Sequence, residues 1–213
     1  NPMNRATLRA VLTPRLGLML PLGFASGLPL ALTGGTLQAW LTEAGLDLTT
    51  IGLFAYVGLP YTLKFLWAPV MDRIVPPWLG HRRGWMIVTQ TGLALALTLM
   101  AFIGPNSGAQ IFAALALGVA FLSASQDIVF DAYRTDLLKP DERGLGAATW
   151  VMGYRIAMIA SGSLALIVAA RLGWSSAYLC MAGLMALGIV TILMIPEPEA
   201  AKAAPQSMAE AVW

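Results

Sequence analysis

Cysteine and histidine occur once each in this chain of 213 residues, and charge is scarce. Cys180 lies inside an apolar run, so no disulfide framework is available. One histidine and one cysteine cannot assemble a metal site from soft ligands, and no cofactor is expected. Charged residues make up 11% of the chain, where soluble domains carry roughly 25%. The alternating ten-residue pattern of a membrane β-barrel is also missing. No basic tract marks a nucleic-acid partner, and none is expected. No cleavable leader is expected, because the first apolar run is too long and more of the same follows it. Asn1 and Pro2 precede Met3, which is the expected native start. His81 falls in a basic stretch, where a loop residue beside anionic lipid is expected.

What the chain has instead is apolar length. Hydrophobic residues are 58% of it, and its mean hydropathy is +0.71. Six segments are each long enough to cross ~30 Å of hydrocarbon as a helix, which takes ~20 residues. They run about Leu16 to Trp40, Thr50 to Met71, Gly84 to Ile103, Ala109 to Ala132, Gly144 to Ala170 and Trp174 to Ile195. Helices follow because backbone polar groups have no water to bond inside a bilayer. The expected fold class is an all-α membrane protein of six transmembrane helices. Residues 16–196 form the bundle, 1–15 a cytoplasmic tail, and 197–213 the Ala- and Pro-rich start of a cytoplasmic linker.

Basic residues orient the bundle. With the N-terminus in the cytoplasm, Arg5, Arg9, Arg15, Arg73, Arg82, Arg83, Arg134, Lys139, Arg143 and Lys202 are all inside, and only Arg171 is outside. The reverse placement inverts that asymmetry, so the positive-inside rule favours a cytoplasmic N-terminus. Trp40 and Trp174 then mark the outer interface, and Trp78 and Trp85 the inner one, as anchoring aromatics do.

Lys64, Asp127, Asp131 and Arg155 fall within the apolar segments. A charge at membrane depth costs several kcal/mol and marks a cavity, a partner or a function. Ser123, Asp127, Asp131 and Arg134 are spaced along one face of the fourth segment. A carboxylate balanced between burial and a nearby cation can take up and release a proton as its surroundings change. Two readings stand for Asp127: the proton-coupling group, or a structural ion pair with Lys64 or Arg155. The first segment is rich in small residues, with Pro29 inside it, and is read either as tight packing or as a hinge that exposes backbone and Gln38.

Several stretches resemble known proteins. Met71-Asp72-Arg73 leading to Gly80-His81-Arg82-Arg83, and Pro140-Asp141-Glu142-Arg143-Gly144, resemble the corresponding loops of the major facilitator superfamily. Ser26-Gly27-Leu28-Pro29-Leu30-Ala31-Leu32-Thr33, Gly35-Thr36-Leu37-Gln38-Ala39-Trp40, Lys64-Phe65-Leu66-Trp67 and Ser123-Ala124-Ser125-Gln126-Asp127-Ile128-Val129-Phe130-Asp131-Ala132 resemble AmpG-type muropeptide permeases within it.

The resemblance implies one six-helix half of a twelve-helix transporter, built as two inverted three-helix repeats. It implies proton-coupled import of anhydromuropeptides (GlcNAc-anhydroMurNAc-peptides) for cell-wall recycling across a bacterial inner membrane. The expected partners are membrane lipid, the muropeptide, protons and a C-terminal six-helix half. Between such repeats Lys64 and Arg155 occupy matching mid-membrane places, forming a basic floor for an anion. Gln126, Gln38, Tyr61 and Tyr154 are candidates for hydrogen bonds to sugar and peptide groups, and Trp67 and Trp150 for stacking on sugar rings or for lipid contact. Asp72, Arg73, Arg82, Arg83, Asp131 and Arg134 are expected to form a cytoplasmic gate.

Three alternatives stay open or are tested. A carrier of another bulky anion, such as a nucleotide-linked acyl donor, fits the same composition, and so does a non-transporting six-helix interaction module. Enzymes fit poorly. A membrane serine protease needs a histidine base within reach, and His81 lies outside the apolar segments. An aspartyl protease needs carboxylates on facing helices, whereas Asp127 and Asp131 share one.

Overall fold

Helices begin and end where the sequence leaves them no choice. In the computed structural model, which describes residues 13–199, α1 runs Pro14–Thr33 with a proline at its first position, where a missing amide costs nothing. It stops at Gly34, whose backbone is non-helical, and α2 resumes over Gly35–Glu43. The break therefore falls at the Gly34-Gly35 pair rather than at Pro29, which sits within α1. The interruption frees carbonyls, and one finds a partner: the buried Tyr178 hydroxyl donates to Leu32 O at 2.8 Å.

Four further long helices follow. These are α6 (His81–Ile103), α7 (Ala109–Leu137), the pair α8 (Arg143–Ile159) and α9 (Ala165–Leu172), and α10 (Trp174–Met194). Between α8 and α9 the helix widens into a π turn over Ala160–Leu164. Thr36 Oγ1, from just past the α1–α2 break, donates to Ser161 O in that turn at 2.7 Å. The two irregularities are thus bonded to each other.

Five helices among the described residues, counting α1–α2 and α8–α9 as one each, are long and apolar enough to cross a membrane. The chain is a multi-pass membrane protein. The expected continuous span from Thr50 to Met71 is corrected. That segment is a row of short pieces: α3 (Leu48–Leu53), a 3-10 turn (Phe54–Gly58), α4 (Leu59–Leu63), a second 3-10 turn (Lys64–Leu66) and α5 (Ala68–Arg73). Pro60 and Pro69 each remove an amide donor and crowd the preceding turn, and Gly52 and Gly58 add backbone freedom. The row lies mainly against α7, and leaves Leu53, Tyr56, Phe65, Leu66 and Val70 exposed.

α1 is the central helix. It packs along α8 and also touches α7 and α10, while α6 lies between α7 and α10. Its seam with α8 is made by glycines. A Cβ on Gly27 would stand 2.6 Å from the Tyr154 carbonyl oxygen, and one on Gly23 or Gly153 would overlap the carbonyl of Trp150 or Leu20. Small residues let backbones approach this closely.

The core divides into two levels. One holds Leu28, Trp40, Phe112 and Tyr178; the other holds Met19, Met86, Phe130, Tyr133 and Trp150. Trp40 is therefore corrected from interfacial anchor to core residue. It stacks on Trp174 at 5.7 Å between ring centres and meets Phe112 edge-on at 5.0 Å. Trp174 keeps an edge position, donating Nε1–H to Glu43 at 3.0 Å.

Candidate functional site

The α1–α8 seam and the face of α7 bring one group of polar side chains together. Asp127, on α7, is partly buried, and its Oδ1 accepts the Ser26 hydroxyl of α1 at 2.7 Å. Ser26 itself is buried. Lys64 lies close enough for its charge to act on Asp127, yet no ion pair within 4.0 Å joins them among the described residues. The structural ion-pair reading of Asp127 therefore finds no direct pair here. Tyr61 shares a hydrogen bond with Thr33 Oγ1 at 3.3 Å and lies beside Ser123. Tyr154 stands near both Asp127 and Tyr61, pinned against Gly27. One carboxylate, one amine and two phenols thus converge from three separate segments of the chain, with the Ser26 hydroxyl from a fourth.

Other expected members lie elsewhere. Gln126 is corrected: it is fully buried on another face of α7 and bonds Gln90 of α6. Gln90 in turn donates to Met185 O at 2.8 Å. Gly188 makes room for that amide, since a Cβ there would overlap Gln90 Nε2. Sealed among α6, α7 and α10, Gln126 is a core crosslink and cannot reach a solute without repacking. Trp150 is likewise buried, edge-on to Phe130 at 5.6 Å, so it offers no free face for a sugar ring. Trp67 spends its indole N–H on Ser125 Oγ at 3.0 Å. Arg155 and Gln38 are exposed on α8 and α2, and among the described residues Arg155 has no ion pair.

The charges at the opposite end form two separate networks. Arg82 bridges Asp72 at 2.7 Å and Asp136 at 3.0 Å, tying α5, α6 and α7 together. Arg134 pairs with Asp131 one turn away at 3.1 Å and lies 5.3 Å from the Trp150 ring centre, within cation–π range. Asp131 and Arg134 therefore do not join Asp72 and Arg73; Asp136 does what was expected of Asp131. Arg73 has no ion pair among the described residues. Arg83 gives its guanidinium to the last-turn carbonyls of α10, Ile192 O at 3.2 Å and Leu193 O at 2.9 Å.

His81 is also corrected. It is buried at the start of α6, and its Nε2 bonds Met71 O at 3.2 Å. It closes the loop between α5 and α6 rather than facing lipid.

Ser26, Asp136, Gln90 and Glu197 are the residues the sequence reading passed over. Asp136 carried a usable signal, an acidic residue at the end of a long helix facing a basic loop. Ser26 falls within a stretch that resembles AmpG-type permeases, but nothing local points to its partner, which lies 101 residues away. Arg5, Arg9 and Lys202 lie outside the described residues.

Comparison with known proteins agrees with this architecture. Residues 19–213 match the Major Facilitator Superfamily. A protein of Escherichia coli strain K12 named anhydromuropeptide permease is 51% identical over 211 residues, covering 99% of this chain and 43% of that protein. Its namesake in Escherichia coli O157:H7 has the same identity and coverage. An uncharacterized protein of Haemophilus influenzae is 43% identical over 178 residues, which is 83% of this chain and 42% of that protein. The chain thus spans less than half the length of these curated relatives. With a match that runs from α1 to the last residue, the chain belongs to the major facilitator superfamily.

Proposed function

We propose that this chain is the N-terminal six-helix half of a proton-coupled transporter that imports anhydromuropeptides across a bacterial inner membrane. The row of short helices over residues 48–73 supplies the second of the six spans, and two inverted three-helix repeats make up the half. Residues 16–196 form the bundle, with the N-terminus and the segment from 197 onward in the cytoplasm. A C-terminal half supplies the other wall of the cavity.

The observation that carries this reading is Asp127, held by Ser26 at 2.7 Å with Lys64 in charge range and Tyr154 alongside. A carboxylate at membrane depth without a direct ion pair can exchange a proton as its surroundings change. Lys64 and the exposed Arg155 would receive carboxylates of the peptide, and Tyr61, Tyr154 and Gln38 would meet sugar hydroxyls. Protonation of Asp127 favours loading from outside, and release of the proton inside favours unloading. Arg82, Asp72 and Asp136 form the cytoplasmic gate, with Arg83 holding α10 beside it. The identity to proteins named anhydromuropeptide permease supports the choice of solute.

The test is uptake of labelled muropeptide into vesicles by the complete protein. Asp127→Asn should abolish accumulation driven by a pH gradient while leaving downhill exchange. Lys64→Ala should weaken uptake of muropeptides with free peptide carboxylates more than of forms in which those carboxyls are amidated. Wild-type accumulation by Asp127→Asn removes the coupling role. Uptake of a different bulky anion in place of muropeptide removes the solute.

A further inference from the structure

We infer that Glu197 is a positioning residue, a latch that ties the segment leaving α10 to the first turn of α6 and so sets where Arg82 reaches Asp72 and Asp136. The inference rests on reading Arg82 as part of a cytoplasmic gate. A helix leaves its first amides without partners, and α6 begins after Gly80, which has no side chain to cap them. Glu197 supplies the cap from 115 residues away. Its Oε1 accepts Arg82 N–H at 2.8 Å, and its Oε2 accepts Arg83 N–H at 3.0 Å. A carboxylate is the best occupant of that place, because the helix start carries partial positive charge.

The surroundings are shaped around this contact. Gly80 has φ +89°, which favours glycine, and a Cβ there would stand 2.7 Å from the Glu197 carboxyl carbon and push that carboxylate aside. Pro196 and Pro198 flank Glu197 and fix the backbone on either side of it. The Tyr133 hydroxyl of α7 donates to Pro196 O at 2.9 Å. In return, Arg83 holds Ile192 O and Leu193 O at the end of α10. The start of α6 and the end of α10 therefore satisfy each other's unpaired groups. Arg82 lies at the junction: its amide is held by the latch, and its side chain holds Asp72 and Asp136. A pull on residues 196–198 is thus transmitted to the gate arginine through one residue.

Hydrogen exchange on the complete protein reads the latch directly. Glu197→Ala should speed exchange of the Arg82 and Arg83 amides by roughly ten- to a hundredfold, the scale of a lost bond to a charged group. The isosteric Glu197→Gln, which keeps one good acceptor and loses the charge, should fall between. Uptake should lose maximum rate at unchanged apparent affinity, because the latch touches no solute. Glu197→Ala added to Asp72→Asn should cost little beyond Asp72→Asn alone, since both act through Arg82. Unchanged exchange in both Glu197 variants, or fully additive losses in the double variant, overturns the inference. The exchange arm needs no solute: wild-type protein that fails to carry muropeptide would overturn the proposed function and leave the latch standing.

Discussion

The α1–α8 seam and the row of short helices over residues 48–73 are opposite solutions to burying a helix. At the seam, Gly23, Gly27 and Gly153 bring backbones into contact, and each position is closed to any larger residue. In the row, two prolines and two glycines divide the chain into pieces that lie mainly on α7 and leave large apolar side chains uncovered. The seam is buried between two helices of this chain, whereas the row keeps an exposed apolar face. The polar cluster sits where the two meet, with Ser26 from the seam and Lys64 and Tyr61 from the row around Asp127.

The contrast can be broken most severely at the seam. Gly23→Val or Gly153→Val should cost about 3 kcal/mol or more, because the new atoms meet a backbone carbonyl that cannot move aside. Thermal unfolding of the complete protein in detergent measures it, and near-native stability would show that the seam can open. A finer comparison sets the polar bonds of the two regions against each other. A double-mutant cycle on Ser26 and Asp127 should give a coupling of about 1.5–3 kcal/mol, as for a bond to a charged group. The same cycle on Tyr61 and Thr33, at 3.3 Å, should give less than about 1 kcal/mol.

Straightening the row is a smaller perturbation. Pro60→Ala should slow amide exchange across residues 56–64, with a stability change of about 1 kcal/mol or less, since Pro60 sits in the first turn of α4, where proline is tolerated. Equal exchange rates would place the cause of the fragmentation elsewhere.

The smallest effect is at the start of the row. The side chain and amide of Thr50 hold the Asp47 carboxyl below its ordinary value of 3.8. Its folded-state pKa is lowered, so the contribution of this cap is fully present above 3.8 and is lost as pH falls through the lower folded value. Acid should therefore fray α3 in the wild type, and Asp47→Asn should flatten that pH dependence in a helix-specific probe.

The sequence made the long apolar helices legible, because hydropathy over twenty residues needs no knowledge of neighbours. Helical period alone put Ser123 and Asp127 on one face of the fourth segment, and Asp127 there meets Ser26 of α1. The sequence failed where the deciding atom belongs to another helix. Gln126 is one residue from Asp127, yet Gln90 and Met185 take it into the core. Trp40 and Trp150 have the composition of anchors and ring platforms, and only Trp174, Phe112 and Phe130 reveal them as core. Asp131 was expected in the gate, yet Asp136 takes the Arg82 bridge and Asp131 turns to Arg134, because the start of α6 brings Arg82 to the end of α7. The row over 48–73 has enough apolar length for a span, and length conceals the prolines that divide it.

The π turn over Ala160–Leu164 carries one residue more than a regular helix of the same rise would hold. Deleting a single residue there would restore ordinary winding and leave everything beyond it, Ala165 to Leu172, facing as it does now, whereas a deletion in the regular part of α8 would turn all that follows by about 100° about the axis. Ala165 and Ala169, now buried, would stay buried in the first case and swing outward in the second. The turn thus takes up one residue without altering the facing of Tyr154 and Arg155 before it or of Ala165 and Ala169 after it.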